Sequence, residues 1–354
     1  MIISDDEPKN KQTIKTTRGE NLSPQTVEYD TSFETNIRPK TFDTYIGQEA
    51  LKNTLKISIE ASKLRNTTLD HLLFYGPPGL GKTTLAGVIA NETGVPIKIT
   101  SAPALERPRD IIGILMSLKE GEILFIDEIH RLNKIAEEIL YPAMEDFFID
   151  INTGKSQTVK SMRVPNKKFT LIGATTKAGA LSGPLRDRFG IVHRLEFYTD
   201  NELAEIVKRS AGILNINIDD EGALKVATSS RATPRIANRL IKRCADWAIV
   251  KGEGVVTADI VSSALEALNI DFVGLDSTDR HMLEIMIKNY SGGPVGIQTL
   301  AVALGEDIRT IEDVYEPYLL QKGFIQRTPQ GRKVTSLAYK HLGLNEPNAQ
   351  MSLF

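Results

Sequence analysis

Beyond residue 30 the chain alternates short apolar runs with longer stretches whose apolar residues recur every three or four positions. Leu51, Leu55, Ile59 and Ser62 follow Gly47-Gln48-Glu49 at a four-residue spacing, which predicts a helix. From His71 to about Phe197, apolar runs at 72–75, 97–100, 123–126 and 170–174 are separated by helical stretches. Strands alternating with helices predict a parallel sheet wrapped by helices. Inside this region, 148–151 and 159–164 flank Asn152-Thr153-Gly154-Lys155, the pattern of a hairpin projecting from the core. Residues 201–270 carry helical periodicity alone, with one stripe of Leu203, Ile206, Val207 and Ser210 and another of Leu240, Ile241, Cys244, Ala245 and Ala248. After a boundary at 272–277, three short helices precede strands at 324–327 and 332–335, joined by Thr328-Pro329-Gln330-Gly331. Helices capped by a hairpin predict a winged helix. Residues 1–30 are polar and aperiodic, and read as a flexible leader. The expected division is therefore leader 1–30, α/β domain 31–198, helical domain 199–270 and winged helix 271–354.

Composition narrows the functional class. Hydrophobic residues make up 41% and charged residues 25% of the 354, a soluble globular profile. No apolar run approaches ~18 residues, so no membrane span is expected. Cys244 is the single cysteine; an internal disulfide is excluded and a reducing cytoplasm fits. A formal net charge of −2 is unlike a protein held on nucleic acid by bulk electrostatics. Any DNA contact must be local or assisted by a partner.

The chemistry begins at Gly76-Pro77-Pro78-Gly79-Leu80-Gly81-Lys82-Thr83-Thr84, which fits G-x-x-x-x-G-K-[ST] between a predicted strand and a helix, the context this motif requires. Glycines such as Gly79 and Gly81 let backbone N–H groups converge on a phosphate with no Cβ in the way. Lys82 places a charge between the β- and γ-phosphates, and the Thr83 hydroxyl is a Mg2+ ligand. The chain is expected to bind a nucleoside triphosphate. The run at 123–126 ends in Asp127-Glu128. Asp127 suits Mg2+ binding through the ion's waters, and Glu128 can polarise a water for in-line attack on the γ-phosphate. That pair argues for hydrolysis. A second strand ends in Thr175-Thr176, and either threonine can sense the γ-phosphate or orient the water, because parallel strands share one crevice at their carboxyl ends. Pro184-Leu185-Arg186-Asp187-Arg188-Phe189 offers two arginines. One is expected in a local ion pair and the other at the transition state of a neighbouring subunit; the residues alone do not choose between them. Thr233-Pro234-Arg235 opens a helix, with Pro in its first turn, and Arg235 can reach back to the nucleotide.

A set of spellings then accumulates in order: Ile37-Arg38-Pro39, HLLFYGPPGLGKTT (71–84), LFIDEIHRL (124–132), LYPAMED (140–146), PLRDRFG (184–190), TPRIANRL (233–240), GGPVG (292–296) and QRTP (326–329). With these, the chain resembles the AAA+ ATPases and, within them, the RuvB family of bacterial Holliday-junction branch-migration motors. The resemblance implies a P-loop sheet domain, an all-helical lid and a C-terminal winged helix. It implies ATP and Mg2+ as cofactors, a hexameric ring, a cytoplasmic setting, junction or duplex DNA as substrate, and RuvA and RuvC as partners. It implies that Ile37, Arg38 and Tyr198 hold the adenine end, and that Gly79, Gly81, Lys82, Thr83 and Thr84 hold phosphates and metal. Glu145, Asp146 and Phe147 would line a nucleotide site, Glu128 would be the catalytic carboxylate beside Asp127, and Arg235 a second sensor. It selects Arg188 over Arg186 as the trans-acting arginine, docks the 152–162 hairpin on RuvA, and places Arg327 and Arg332 on DNA. A physical reading agrees with the last point: Glu312, Asp313 and Glu316 on the preceding helix would repel phosphates, and phosphate contacts carry no sequence information. Three spellings depart from the family's custom, with Gln330 and Ile308 standing where arginines are usual and Ala232 where glycine is. Two rivals remain at this level: a clamp-loader-type switch that assembles a complex on DNA without translocation, and a non-enzymatic module that binds nucleotide only to order a ring.

Overall fold

The computed structural model describes residues 36–153 and 160–346; the leader read at 1–30 and the hairpin tip at 154–159 lie outside them. Helix α1 (Glu49–Arg65) buries Leu51, Leu55, Ile59 and Ser62, the stripe read from the sequence. Five strands then build one sheet: β1 (Leu72–Tyr75), β2 (Ile97–Ser101), β3 (Ile123–Asp127), β6 (Thr170–Thr175) and β7 (Ile191–Arg194), in the order β2-β3-β6-β1-β7. Every pairing in it is parallel. Helices α2 (Lys82–Thr93), α3 (Pro108–Met116) and α4 (Lys134–Glu145) connect the strands. Leu72, Leu73 and Phe74 are wholly buried, each such side chain contributing roughly 1.5–3 kcal/mol relative to exposure. Burial on both faces is why β1, β3 and β6 read as continuous apolar runs. Strand β7 was not legible in the sequence, because it lies at an edge and its residues alternate between half-buried and exposed.

Strands β4 (Phe148–Thr153) and β5 (Lys160–Pro165) form the projecting antiparallel hairpin. Its turn was read at 152–155, but Asn152 pairs with Ser161 and Thr153 with Lys160. Asn152 and Thr153, read as turn residues, are thus part of the ladder.

The second layer comprises α5 (Gly183–Arg186), then the lid helices α6 (Asp200–Ile213), α7 (Asp220–Thr228), α8 (Pro234–Lys251) and α9 (Ala258–Ala267). Leu203, Ile206, Val207 and Ser210 are buried on α6, and Leu240, Ile241, Cys244 and Ala248 on α8, as the periodicity predicts. The region is not helical throughout. Two-residue strands β8 (Asn217–Ile218) and β9 (Val255–Val256) pair in parallel and pin the helix ends together; two residues are too few to leave a pattern.

The C-terminal layer has α10 (Ser277–Tyr290), α11 (Ile297–Leu304), a helical turn at Ile308–Thr310, a π-helical turn at Ile311–Tyr315 and α12 (Glu316–Gln321). The wing strands β10 (Ile325–Thr328) and β11 (Gly331–Val334) and helix α13 (Ser336–His341) complete it. The α/β sheet, helical lid and winged helix predicted from the sequence are all present. Lid and winged helix are joined by Arg231, buried to 3%, whose guanidinium grips Asp279 at 2.9 and 3.2 Å and the Val314 carbonyl at 3.2 Å.

Candidate active site

A cleft of about 370 Å³ opens where the loop after β1, the end of β3 and the start of α8 meet. The switch in strand order beside β1 creates this crevice, since the chain leaves β1 toward one side and returns on the other. Gly79 and Gly81 have φ of 83° and 92°, a left-handed backbone that side chains disfavour. A Cβ at Gly81 would also stand 3.3 Å from the Tyr45 hydroxyl. Lys82, first residue of α2, is 7% exposed, and its Nζ donates to the carbonyls of Gly76 and Pro77 at 2.8 and 2.9 Å. Burial pushes the Lys82 ammonium down to about 8, against the pull of Glu128 and Asp127. Thr83 and Thr84 line the same end.

Strand β3 delivers Asp127 and Glu128 into the cleft. Glu128 adopts a left-handed φ of 48°, which for a residue with a side chain costs about 1–3 kcal/mol and persists only when surroundings enforce it. The enforcement is visible: His130 Nδ1 lies 3.1 Å from Glu128 Oε2, and Thr176 N and Oγ1 donate to the same oxygen at 3.4 and 3.3 Å. Burial tends to raise the Glu128 carboxyl, but the His130 hydrogen bond, with help from Lys82 and Thr176, holds it below the usual glutamate range. Asp127 shifts the other way, raised first by burial and then by the Glu128 charge. Of the two threonines left open by the sequence, Thr176 touches Glu128, while Thr175 is fully buried with its Oγ1 2.9 Å from His130 Nδ1.

The cleft is further lined by Ile37, Arg38, Tyr45, Ile46, Tyr198, Ile206, Arg209 and Asn238. The Tyr198 hydroxyl lies 3.2 Å from the Tyr45 hydroxyl and 3.4 Å from the Leu80 carbonyl, sharing its one proton between them, and its N–H donates to the Ala232 carbonyl. Tyr198 thus joins the N-terminal segment, the phosphate loop and the lid. Arg235 also lines the cleft, and its N–H donates to Gly79 O at 3.4 Å. Ala232, where glycine is customary, has φ of 54° beside Arg231 at 53°; the left-handed backbone explains the custom and costs an alanine roughly 1–2 kcal/mol.

Sequence reading missed His130, Tyr45, Arg209 and Asn238 as contributors to the cleft. The histidine lay within the quoted string DEIH, yet only the close approach of β6 to β3 gives it Glu128 and Thr175 as partners. Arg209 and Asn238 sit on lid helices where a polar residue signals only a solvated face.

Two expected groups are not in the cleft. Glu145, Asp146 and Phe147 lie outside it, and so does Arg188, which the resemblance assigned to a neighbouring subunit's site. They gather on another surface instead. Arg188 Nη2 donates to Glu145 Oε2 at 2.9 Å and Nη1 to the Pro184 carbonyl at 2.7 Å, with the guanidinium 4.8 Å from the Tyr141 ring centre. Arg186, by contrast, is exposed and makes no polar contact among the described residues.

The wing also differs from expectation. Glu316, counted as a phosphate-repelling carboxylate, is wholly buried. Its Oε1 accepts from Nε of both Arg327 and Arg332 at 2.8 Å, and its Oε2 from their Nη2 groups at 2.7 and 3.0 Å. The Arg332 side chain is only 14% exposed, whereas that of Arg327 is 55% exposed. Glu312 and Asp313 are engaged too, by Lys177 Nζ at 3.4 and 3.2 Å. Lys177 follows Thr176 directly, so the segment after β6 that touches Glu128 also reaches the winged helix. Gln330 is exposed at the wing's turn and Ile308 is 38% exposed.

Comparison with known proteins agrees with this architecture along the chain. Residues 37–195 match the family model of the Holliday junction DNA helicase RuvB P-loop domain, 198–271 the RuvB AAA lid domain, and 273–343 the RuvB C-terminal winged helix domain. A Nostoc sp. protein described as Holliday junction branch migration complex subunit RuvB is 57% identical over 320 residues, covering 90% of this chain and 87% of that protein. The similarly described protein of Crocosphaera subtropica is 53% identical over 350 residues, covering 96% and 99%. Among solved structures, the Thermotoga maritima RuvB Holliday junction branch migration motor has a TM-score of 0.80 at 50% identity, covering 88% of this chain and 100% of that one. With all three of its layers matched in order and more than half of its residues shared with full-length relatives, this chain belongs to the RuvB family of P-loop ATPases.

Proposed function

We propose that this chain is an ATP-hydrolysing motor that drives branch migration of Holliday junctions, working as a hexameric ring with RuvA, and with RuvC acting alongside, in the bacterial cytoplasm. One observation carries the motor reading: the cleft gathers Lys82, Glu128 and Arg235, while the arginine needed to complete it stands on another surface of the same chain. A head-to-tail arrangement that closes into a ring brings that surface to a neighbour's cleft. Arg188 would then face the neighbour's γ-phosphate, with Glu145, Asp146 and Phe147 beside it. No helix among the described residues is long and apolar enough to cross a membrane.

Within the cleft, Lys82 would exchange its two carbonyl partners for phosphate oxygens. The Thr83 hydroxyl and Asp127 carboxylate are hard oxygen donors fit for Mg2+, and a divalent cation would offset both the burial and the Glu128 charge that raise Asp127. Bound there, Mg2+ would supply charge neutralisation at the β- and γ-phosphates. Glu128, held by His130 and Thr176, would orient the attacking water and accept its proton. Nucleotide state would be felt by Arg235 at the lid and by Thr176, and passed through Lys177 to the winged helix.

The test is a synthetic four-way junction incubated with the chain, RuvA, Mg2+ and ATP. The expected product is a pair of forked duplexes formed only with ATP. DNA-stimulated hydrolysis without that product would favour the clamp-loader-type switch, and absence of hydrolysis the nucleotide-ordered module. The match to branch-migration motors over all three layers supports the first outcome.

Two further results are expected. An arriving triphosphate raises the Lys82 pKa above its free value near 8, so binding takes up a proton above that pH and affinity falls as pH rises through it. The Kd for ATP should weaken by up to about tenfold per pH unit between roughly 8 and 9.5. Calorimetry at pH 8.5 in buffers of different ionisation enthalpy should register the uptake; a flat Kd across that range would contradict it. On the wing, Arg327→Ala should weaken DNA binding evenly across sequences and reduce the salt slope by about 1. Arg332→Ala should instead show itself mainly in thermal melting, because Arg332 is nearly buried against Glu316. Equal effects of both substitutions on the salt slope would count against the division of labour.

A further inference from the structure

The wall that α8 gives the cleft holds a polar atom that the chain does not satisfy. Asn238 Oδ1 is buried and has no hydrogen-bond partner, although Asn238 lines the cleft. A buried acceptor without a donor is costly and rare, so a donor arriving with the ligand is the physical remedy.

The course of α8 tells which part of the ligand brings it. The Arg235 N–H bonds to Gly79 O, so the first turn of α8 rests on the phosphate loop. Asn238 comes three residues later, on the same helix face and about 4.5 Å further along the axis. The apolar lining of the same cleft is supplied by Ile37, Ile46 and Ile206, walls that suit the faces of a planar base rather than a triphosphate. Arg209 fixes that wall. Its Nη2 donates to Ile37 O at 3.1 Å and its Nη1 to Thr44 O. An arginine offers donors only, whereas the asparagine oxygen offers an acceptor.

We propose that Asn238 Oδ1 accepts a hydrogen bond from the 6-amino group of adenine and thereby selects ATP over GTP. Guanine carries a carbonyl at that position, which would set acceptor against acceptor; a site built to pair one group rejects the analogue that cannot. The inference rests on the reading of the cleft as an ATP site and names the residue that sets its base preference.

The test measures binding of the full chain to ATP, GTP, purine riboside triphosphate (which lacks the 6-amino group) and 2′-deoxyATP, by competition with a fluorescent ADP. Asn238→Leu, nearly isosteric, should weaken ATP binding by about three- to tenfold, the range for one hydrogen bond. It should leave purine riboside triphosphate unaffected and shrink the preference for ATP over GTP by the same factor. Its melting temperature should not fall, since an unpaired acceptor is lost; if it does fall, Asn238→Ala carries the same comparison. An equal loss for purine riboside triphosphate overturns the proposal, as does a loss that vanishes with 2′-deoxyATP, which would assign Asn238 to the ribose. Failure of the unaltered chain to bind any of the four would sink the ATP reading itself, a result distinct from normal ATP binding with an inert Asn238.

Discussion

Replacing Arg188 by alanine leaves ATP binding by the isolated chain unchanged and lowers turnover by about 10³–10⁵-fold, the usual effect of removing a trans-acting arginine. Binding survives because Arg188 does not line its own cleft. Turnover fails because a positive charge is lost where negative charge spreads over the transferring phosphoryl oxygens. The surrounding contacts strengthen the case. Glu145, the Pro184 carbonyl and the Tyr141 ring hold the guanidinium in one pose, so little side-chain freedom is left to lose when a neighbour's nucleotide arrives. Mixing Arg188→Ala with Glu128→Gln subunits should recover part of the hydrolysis. Each Arg188→Ala subunit keeps its own Glu128 and receives the arginine of the Glu128→Gln subunit beside it. No recovery at any mixing ratio would mean that the arginine acts within its own chain, and the ring mechanism would have to be abandoned. Arg186→Ala, which removes an exposed side chain without polar partners, should stay close to unaltered activity.

Glu128→Gln is expected to lower kcat by about 10²–10⁴-fold, the contribution typical of a positioned general base, with KM little changed. The amide keeps the size of the side chain and can still bond Thr176, but it cannot take a proton from water. The contacts of Glu128 also predict a graded companion. His130→Ala removes the hydrogen bond that most strongly keeps the carboxylate ionised against burial and loosens a left-handed residue, so it should reduce kcat by roughly tenfold, the equivalent of about 1.4 kcal/mol. Single-turnover hydrolysis with saturating ATP separates these effects from binding. A Glu128→Gln chain hydrolysing at full rate would restore the nucleotide-ordered, non-enzymatic reading.

The acidic stretch after Arg309 shows how position in space changes the meaning of a residue. Glu312, Asp313 and Glu316 looked alike in the sequence, three carboxylates facing phosphates. In the structure Glu316 is a buried anchor for two wing arginines, while Glu312 and Asp313 meet Lys177 from the ATPase sheet. The carboxylates therefore do not form the row of free phosphate-repelling charges that the sequence suggested. Their charges are occupied in holding the wing and in joining the winged helix to the segment after β6 that touches Glu128. Arg327 keeps the exposed edge, and Arg332 serves chiefly as Glu316's partner.

Local order settled much of this molecule. The phosphate loop, the carboxylates after β3, the threonines after β6 and the stripes of the lid helices each lie within a few consecutive residues, where chain geometry alone relates their side chains. Burial on both faces makes three of the sheet strands unmistakable in the same way. Whatever depends on two distant segments meeting stayed hidden: the edge strand β7, His130 on Glu128, Arg209 closing on Ile37, and the solitary acceptor of Asn238. So did the Glu145, Pro184 and Tyr141 contacts that hold Arg188 outside its own cleft, since a one-dimensional pattern records which residues share a helix face or a strand but not which surface they are folded onto. Packing of one layer on another made those assignments, because hydrogen bonds and ion pairs act over a few ångströms of space regardless of how much chain separates the partners.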